Sequence, residues 1–462
     1  MSLKEKNVRG GEKISSTRGY LKKINVCVYS IIIFCSLVVS LSLFTFSLGC
    51  NQNNKRGSIA VQQNEKIREI ARLSTQKSID AVEWSPNGKY LAALSNYGSI
   101  ITIWDTQTWK IVNEFKLYGK CHFSLYLGFL TNNTVITAAP IGQYPDQKYD
   151  DLSKYFNLVE WDIYTGKLLR YLPNEPVHRS SSVHKVAMEK FTISNDHSLI
   201  AGIESDPNSI VSVVDAKTGR RIFSRVIPID WGVDLSESQS LKTERIIKVA
   251  FSSDGKHLAV GTGSGQITNN NKTIAAGGRV YILNSLNGKI LKSFWAYRWE
   301  PDNYLDRPDS NGQITGRNKD IYEVSDIIFS PDGRWIVTAK EKMANTRTAD
   351  NVAAAIWDAK TGTKICDIQG KVSHAMVGKD EIFPITSMVW YDNWLAIGDG
   401  SGAFRVYSLK VPHKPVLIHN DDPTPGADWG TGRYANSIRV TSSGLLVYCR
   451  DNEIHVLQIN NH

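Results

Sequence analysis

The stretch Ile327–Ala339, IIFSPDGRWIVTA, decides the fold, because it contains two short apolar runs joined by a tight turn. Asp332-Gly333 lies in that turn, and Asp-Gly between runs that alternate apolar and polar residues is a strong signal for a β-hairpin. A second hairpin pattern, IWDAKTGTKICDI, follows at Ile356–Ile368. Two consecutive hairpins predict a unit of four antiparallel strands.

The same two patterns recur along the chain, which indicates a repeat protein. Copies of the first pattern begin at Ala81, Leu127, Phe191, Val249, Ile327, Ser387 and Ser437. The second pattern is a β-run followed by Asp and a turn that ends near Gly-Lys, and it follows every copy except the last. Its copies begin at Ile103, Val159, Val213, Tyr281 and Ile356, with a degenerate one at Phe404. Seven four-stranded units around an axis are the blades of a propeller, so the predicted fold class is an all-β, seven-bladed β-propeller.

Three of the units contain a Trp-Asp pair at the end of the third strand, and a fourth unit has Asp alone there. These repeat-signature residues are Trp104, Asp105, Trp161, Asp162, Asp215, Trp357 and Asp358. Through them the chain resembles the WD40 family of β-propellers over roughly residues 65–460. The Gly-His dipeptide of that family is missing from every unit, so its buried His-Asp network is not expected here.

The last unit has only three strand patterns, and an unpaired sheet edge would be exposed. In WD40 proteins the N-terminal segment supplies the missing outer strand, which the resemblance assigns here to residues 65–73. Ile67, Ile70 and Leu73 also fit the spacing of a helix, so a helix is the alternative for this segment.

The N-terminus has the pattern of an export signal. Residues 24–49 contain no charged residue and follow a segment with seven basic and two acidic residues, which is typical of a signal sequence or an uncleaved anchor helix. Ser47-Leu48-Gly49-Cys50 resembles the lipobox of bacterial lipoproteins, although Ser47 stands where Leu is commonest. The resemblance implies that Cys50 is diacylated and becomes the mature N-terminus.

These patterns predict three regions and a location. Residues 1–49 are the signal sequence or anchor, residues 50–64 a flexible tether and residues 65–462 the propeller. The protein is predicted to be exported, membrane-anchored and monomeric. Asn51 favours an outer membrane if the cell has two.

Insertions indicate which face of the propeller binds partners. They enter between second and third strands and between blades, and in antiparallel blades these two kinds of loop emerge on the same face. Insertions in repeat proteins cluster on the binding face. Aromatic residues with polar tips are common in recognition surfaces. The candidate partner-binding residues in these insertions are Trp231, Trp299, Tyr304, Asp306, Trp429 and Tyr434.

Charge and cysteine usage exclude several classes of protein. Of the net charge of +9, +5 lies before residue 50, which leaves no domain-wide basic surface for nucleic acid. No C-x-x-C pair or His pair at metal-ligand spacing occurs. GTGSG and GDGSG precede no helix pattern, so they are predicted to be turns rather than phosphate-binding loops. The calcium-like loop at Asp306–Gly312 has Arg307 in the place of a ligand.

Two classes of function remain. The first is a non-enzymatic platform that binds a protein partner, with no metal or cofactor, and it is the function predicted here because no catalytic constellation is visible. The alternatives are an enzyme at the mouth of the central channel, similar to quinoprotein dehydrogenases or lactonases, and a ligand-binding propeller. The fold alone does not decide between them.

Overall fold

A computed structural model describes residues 67–96, 98–117, 126–138, 158–172, 188–204, 210–228, 245–263, 265–269, 272–276, 278–297, 321–343, 352–369, 372–373, 380–381, 385–399, 402–410, 415–421 and 437–459. The predicted signal or anchor helix, Cys50 and the tether lie outside these residues. Within them, no helix is long and apolar enough to span a bilayer.

The described strands form seven four-stranded antiparallel sheets, the blades of a β-propeller. Strand β1 (Ile67–Ser74) precedes the first blade. The first blade consists of β2 (Ile79–Trp84), β3 (Tyr90–Ser95), β4 (Ile100–Asp105) and β5 (Ile111–Lys116). The second consists of β6 (Leu127–Thr131), β7 (Thr134–Ala138), β8 (Leu158–Asp162) and β9 (Leu168–Leu172). The third consists of β10 (Met188–Ile193), β11 (Leu199–Glu204), β12 (Ile210–Asp215) and β13 (Arg221–Val226).

The fourth blade contains an additional hairpin between its second and third strands. Its strands are β14 (Ile246–Phe251), β15 (His257–Thr262), β18 (Arg279–Asn284) and β19 (Ile290–Trp295), and the hairpin is β16 (Gly265–Asn269) with β17 (Lys272–Ala276). The fifth blade consists of β20 (Ile321–Phe329), β21 (Trp335–Met343), β22 (Val352–Asp358) and β23 (Lys364–Gln369). A two-residue pair, β24 (Val372–Ser373) with β25 (Asp380–Glu381), follows.

The last two blades complete the ring. The sixth consists of β26 (Ile385–Tyr391), β27 (Trp394–Asp399), β28 (Phe404–Ser408) and β29 (Val416–Asp421), and the seventh contains β30 (Ile438–Val440), β31 (Leu445–Arg450) and β32 (Glu453–Ile459). Each first strand lies beside the first strand of the next blade, and β30 lies beside β2. The seven first strands therefore surround the central channel, and the predicted all-β, seven-bladed fold is confirmed.

Strand β1 is the outer strand of the seventh blade. It pairs antiparallel with β32, and the register joins Ile67 to Ile459 and Ser74 to Glu453. The prediction of a strand that closes the ring is confirmed. The helical alternative is wrong, because the edge of β32 provides backbone hydrogen-bond partners that a helix would leave unpaired. The described strand begins two residues later than the predicted segment and ends one residue later.

The core lies between neighbouring blades. The middle strands are buried throughout, as in β3, because both faces of a blade pack against other blades. Outer strands such as β5 alternate exposed and half-buried residues. Between the first two blades, Ile103, Phe129 and Trp161 belong to one buried cluster, which explains why the repeat patterns contain an apolar residue at every second position.

The Ser-x-Asp/Asn-Gly turns are built by side-chain capping. Ser85 Oγ donates to Asn87 Oδ1 (2.9 Å) and accepts from the Tyr90 backbone N–H (2.8 Å). Gly88 has a φ of +68°, which Gly adopts at little cost. Ser252 with Asp254 and Ser330 with Asp332 make the same contacts, so this repeat signature serves the fold.

Candidate interaction face and central channel

The two faces of the propeller differ in the length of their connections. The loop face has the connections from second to third strands and from each blade to the next. Two of these connections are long, since β7 ends at Ala138 and β8 begins at Leu158, and β19 ends at Trp295 and β20 begins at Ile321. On the turn face, where first strands lead to second and third strands to fourth, the connections are short, as from Trp84 to Tyr90. The insertions therefore lie on one face, as the sequence predicts.

The six candidate partner-binding residues all belong to the loop-face connections. Trp231, Trp299, Tyr304, Asp306, Trp429 and Tyr434 lie outside the described residues. Their role in binding stays a prediction.

Two neighbouring blades extend towards the loop face. In the fourth blade, the insertion between second and third strands forms the hairpin β16–β17, in which Gly265 pairs with Ala276 and Asn269 with Lys272. In the fifth blade, β20 and β21 pair as far as Ile321 with Met343. Both strands are nine residues long, whereas most strands of the other blades have five or six. The loop face thus has ordered strand extensions as well as long connections.

An ion pair lies where these two blades meet on the loop face. Arg245 Nη2 donates to Glu323 Oε2 at 2.6 Å, and the Glu323 side chain is only 9% exposed whereas that of Arg245 is 49% exposed. Gly263 lies directly beside the pair, since a Cβ atom on it would be 2.5 Å from Glu323 Oε2. Gly261 faces Val324 in the same way, at 2.5 Å from Cγ1. Gly261 and Gly263 of GTGSG therefore allow two blades to approach closely.

Charged side chains from several blades meet at the central channel. Lys248 on β14 lies 3.3 Å from Asp326 on β20, and its ammonium group lies 5.4 Å from the ring centre of Tyr126 in the second blade. Burial opposes the charged form of Lys248, but Asp326 and Tyr126 favour it more strongly and raise the pKa of the lysine. The lysine is therefore a permanent cation, 27% exposed.

A second ion pair joins the seventh blade to the first. Arg439 Nε on β30 donates to Glu83 Oε2 on β2 at 2.6 Å. Burial acts against the charge of Arg439, and Glu83 outweighs it and raises the pKa of the guanidinium. The carboxylate of Asp326 also acts on Arg439, and a third channel cation, Lys190 on β10, donates to the carbonyl of Ile247 on β14 at 3.3 Å.

The same level of the channel has hydrogen bonds across three successive blade junctions, which we call the inter-blade ring. Its members occupy one position in successive first strands, and each side-chain oxygen accepts from a backbone N–H of the next blade. Asp326 accepts from Met388 (2.9 Å), Ser387 from Ile438 (3.1 Å) and Ser437 from Val82 (3.2 Å). Sequence reasoning missed this ring, although a polar residue inside an apolar first strand was a visible signal.

The repeat-signature residues stabilise the individual blades. The Asp of each signature caps the turn after its strand: Asp105, Asp162, Asp215 and Asp358 accept from the backbone N–H and the hydroxyl of a Thr three residues later. Trp104, Trp161 and Trp357 are buried. The indole N–H groups of Trp161 and Trp357 donate to Thr137 and Thr338 on the neighbouring strand.

The described part of the chain contains no group of three or more His, Cys, Asp or Glu placed to hold a metal ion. Cys449 is a buried free thiol, and Cys366 is a half-buried cysteine. Burial raises the pKa of Cys366 to about 11, so the thiol stays protonated and unreactive at neutral pH.

Comparison with known proteins supports the fold. No protein-family model matches the chain, and no curated protein matches it. Among solved structures, the one titled "Structure of U3-55K" is similar to 85% of this chain and 98% of its own, with a TM-score of 0.53 and 12% sequence identity. At that identity the likeness shows a shared seven-bladed β-propeller fold and nothing finer.

Proposed function

We propose that this protein is a membrane-tethered, WD40-like propeller that acts as a non-enzymatic platform for a protein partner. The observation that supports this most is the asymmetry between its faces. The turn face is made of short capped turns, whereas the loop face has connections of many residues and two neighbouring strand extensions. Long loops in compact domains usually have a function.

The channel chemistry favours a platform over a propeller enzyme. An enzyme needs an acid, a base or a nucleophile that is available to a substrate. Among the described channel charges, Lys248 pairs with Asp326 and Arg439 with Glu83, Asp326 also accepts from the backbone, and Lys190 donates to the carbonyl of Ile247 in the next blade. These groups bind one blade to the next.

The tether is proposed from the sequence alone. The uncharged run that ends in Ser47-Leu48-Gly49-Cys50 supports a diacylated Cys50 as the mature N-terminus. Two acyl chains would hold the protein stably on a membrane, where one chain does so marginally. Intact mass of membrane-extracted protein tests this. We expect a chain that begins at Cys50 with added acyl mass, and a chain that begins at residue 1 would contradict it.

The partner-binding face is tested by capture of partners from native membranes. Alanine variants of Trp231, Trp299, Tyr304 and Trp429 should lose the partner, since removing a central aromatic anchor commonly costs about 2 kcal/mol, or roughly thirtyfold in affinity. Matched turn-face variants, Asn87→Ala and Asp254→Ala, compared at equal folded concentration, should keep it. Loss of the partner in the turn-face variants alone would contradict the proposal.

A further inference from the structure

The chain enters the propeller on the turn face. β1 begins at Ile67, which pairs with Ile459. The N–H of Ile459 donates to the carbonyl of Gly444 (3.0 Å), which lies in the turn between β30 and β31 on the turn face. Ile67 therefore lies at the turn-face rim of the seventh blade.

Cys50 lies close to this rim along the sequence. Residues 51–66 separate the two points, and a flexible chain of that length has an end-to-end distance on the order of 20 Å. An anchor at Cys50 would thus bring the turn-face rim, where the chain enters the propeller, towards the bilayer surface.

The turn face presents cations outwards. Ten exposed Lys and Arg residues occupy its turns: Lys89, Lys110, Lys167, Lys217, Arg220, Lys256, Lys289, Arg334, Lys360 and Lys410. Eight Asp residues lie in or beside the same turns: Asp105, Asp162, Asp196, Asp215, Asp254, Asp332, Asp358 and Asp392. All of these accept hydrogen bonds from groups of their own turn. Two of the cations, Arg334 and Lys256, pair with the capping carboxylates Asp332 and Asp254, and the ten cations outnumber the eight carboxylates on this face.

Apolar side chains accompany these cations. At the tips of two turns, Tyr164 is 47% exposed and Leu286 is 61% exposed. Three exposed aliphatic residues, Ile111, Leu169 and Leu291, follow within two residues of Lys110, Lys167 and Lys289. Basic residues mixed with aromatic and aliphatic ones are typical of surfaces that lie in the headgroup region of a membrane.

We propose that the turn face docks on the anionic phospholipid headgroups of the membrane to which the chain is anchored. The ammonium groups contact lipid phosphates, and Tyr164 and Leu286 enter the headgroup layer. The loop face then points away from the bilayer and is accessible to a partner. This inference rests on the membrane tether of the proposed function.

Lysine acylation of the anchored, full-length protein tests the orientation. The protein is reconstituted in vesicles of phosphatidylcholine with phosphatidylglycerol, and separately in phosphatidylcholine alone. A water-soluble acylating reagent is added, and the modification rate of each lysine is read by mass spectrometry. Lys167, Lys289 and Lys360 report on the turn face. The matched controls are Lys77, in the loop-face turn between β1 and β2, and Lys116, at the loop-face end of β5, which are both exposed.

We expect the turn-face lysines to react more slowly in the anionic vesicles only, and the control lysines to react equally in both. At 1 M salt the protection should disappear, because the screening length falls from about 10 Å at 0.1 M to about 3 Å. The double variant Lys167→Gln/Lys289→Gln should lose protection at Lys360, whereas Lys77→Gln/Lys116→Gln should retain it.

Other outcomes overturn the inference in distinguishable ways. If the turn-face lysines react as fast as the control lysines in both vesicles, the turn face does not dock. Protection that persists in phosphatidylcholine and at 1 M salt shows that a protein, such as a second copy, covers the face. A chain that fails to float with either vesicle overturns the tether and this inference together, whereas a chain that floats with reactive turn-face lysines overturns this inference alone.

Discussion

The carboxylate of Asp326 joins three blades, because it accepts the backbone N–H of Met388 in the sixth blade at 2.9 Å while it pairs with Lys248 of the fourth at 3.3 Å. Asp326 itself belongs to the fifth blade and is 3% exposed. One buried carboxylate thus satisfies a backbone donor and a lysine at the same time, and removal of one partner of a buried ion pair leaves the other charge uncompensated.

Asp326→Ala should therefore destabilise the propeller by about 3–5 kcal/mol, measured as the shift of the urea midpoint. Asp326→Asn should cost less, since an amide oxygen still accepts from Met388. Ser387→Ala is the matched control in the inter-blade ring, and its loss of one neutral hydrogen bond should cost about 1 kcal/mol. Equal costs for Asp326→Ala and Ser387→Ala would show that the charge at this position contributes nothing.

Ring closure by β1 predicts a large effect of a small deletion. Removing residues 67–74 from the chain should expose the edge of β32 and lower the thermal midpoint strongly, because closure is what removes exposed sheet edges. Removing eight residues of the predicted tether, 55–62, is the control and should leave the midpoint unchanged. If both deletions melt like the parent, β1 does not stabilise the ring.

Close approach of the fourth and fifth blades makes Gly261 sensitive to one added methyl group. Gly261→Ala would place Cβ 2.5 Å from Val324 Cγ1, and overpacking of this kind costs about 1–3 kcal/mol. Val324→Ala should relieve the clash, so the double variant should lose less unfolding free energy than the two single variants together. Gly255→Ala, at a φ of +70° with no neighbour nearer than 3.9 Å, should not be rescued by any such change.

Capped turns make stability depend on pH in the acid range. The backbone N–H of Thr108 lowers the pKa of Asp105, and the Thr218 hydroxyl lowers that of Asp215. A lowered folded-state pKa adds stability that is present above the unfolded value of about 3.9 and is lost as the pH falls through the folded value. Urea midpoints of Asp215→Asn should thus be lower than those of the parent at pH 6, and the difference should be smaller at pH 3. A constant difference at both values would rule out the carboxylate charge as the cause.

The same capping can be removed from the donor side. Thr218→Val deletes the hydroxyl that Asp215 accepts from at 2.7 Å and should raise the pKa of the carboxyl, measured by NMR titration. Thr218→Ser keeps the hydroxyl and should leave the pKa where it is in the parent. An unchanged pKa in Thr218→Val would assign the shift to the backbone N–H alone.

Much of the fold could be predicted because each repeat contains the local residue pattern of its own turns and strands. The turn at Asp332-Gly333 and the strand run before Asp358 need only their own neighbours to form, and seven such copies imply a ring. The inter-blade ring depends on which residue of one blade meets which backbone group of the next, as Ser437 meets Val82, and no local pattern contains that register. The Lys248–Tyr126 contact escaped prediction for the same reason, since it joins two blades that are not adjacent.

The pairing of Ile67 with Ile459 also sets the order in which the propeller can be completed. Strand β1 is synthesised first but can pair only with β32, the last strand, and almost the whole chain lies between the two partners. Contacts so distant along the chain make folding slow. Until β32 has emerged, the edge of β1 remains open to strands of other chains. A chain interrupted before its final strand would consequently stay unclosed, however well its first six blades had formed.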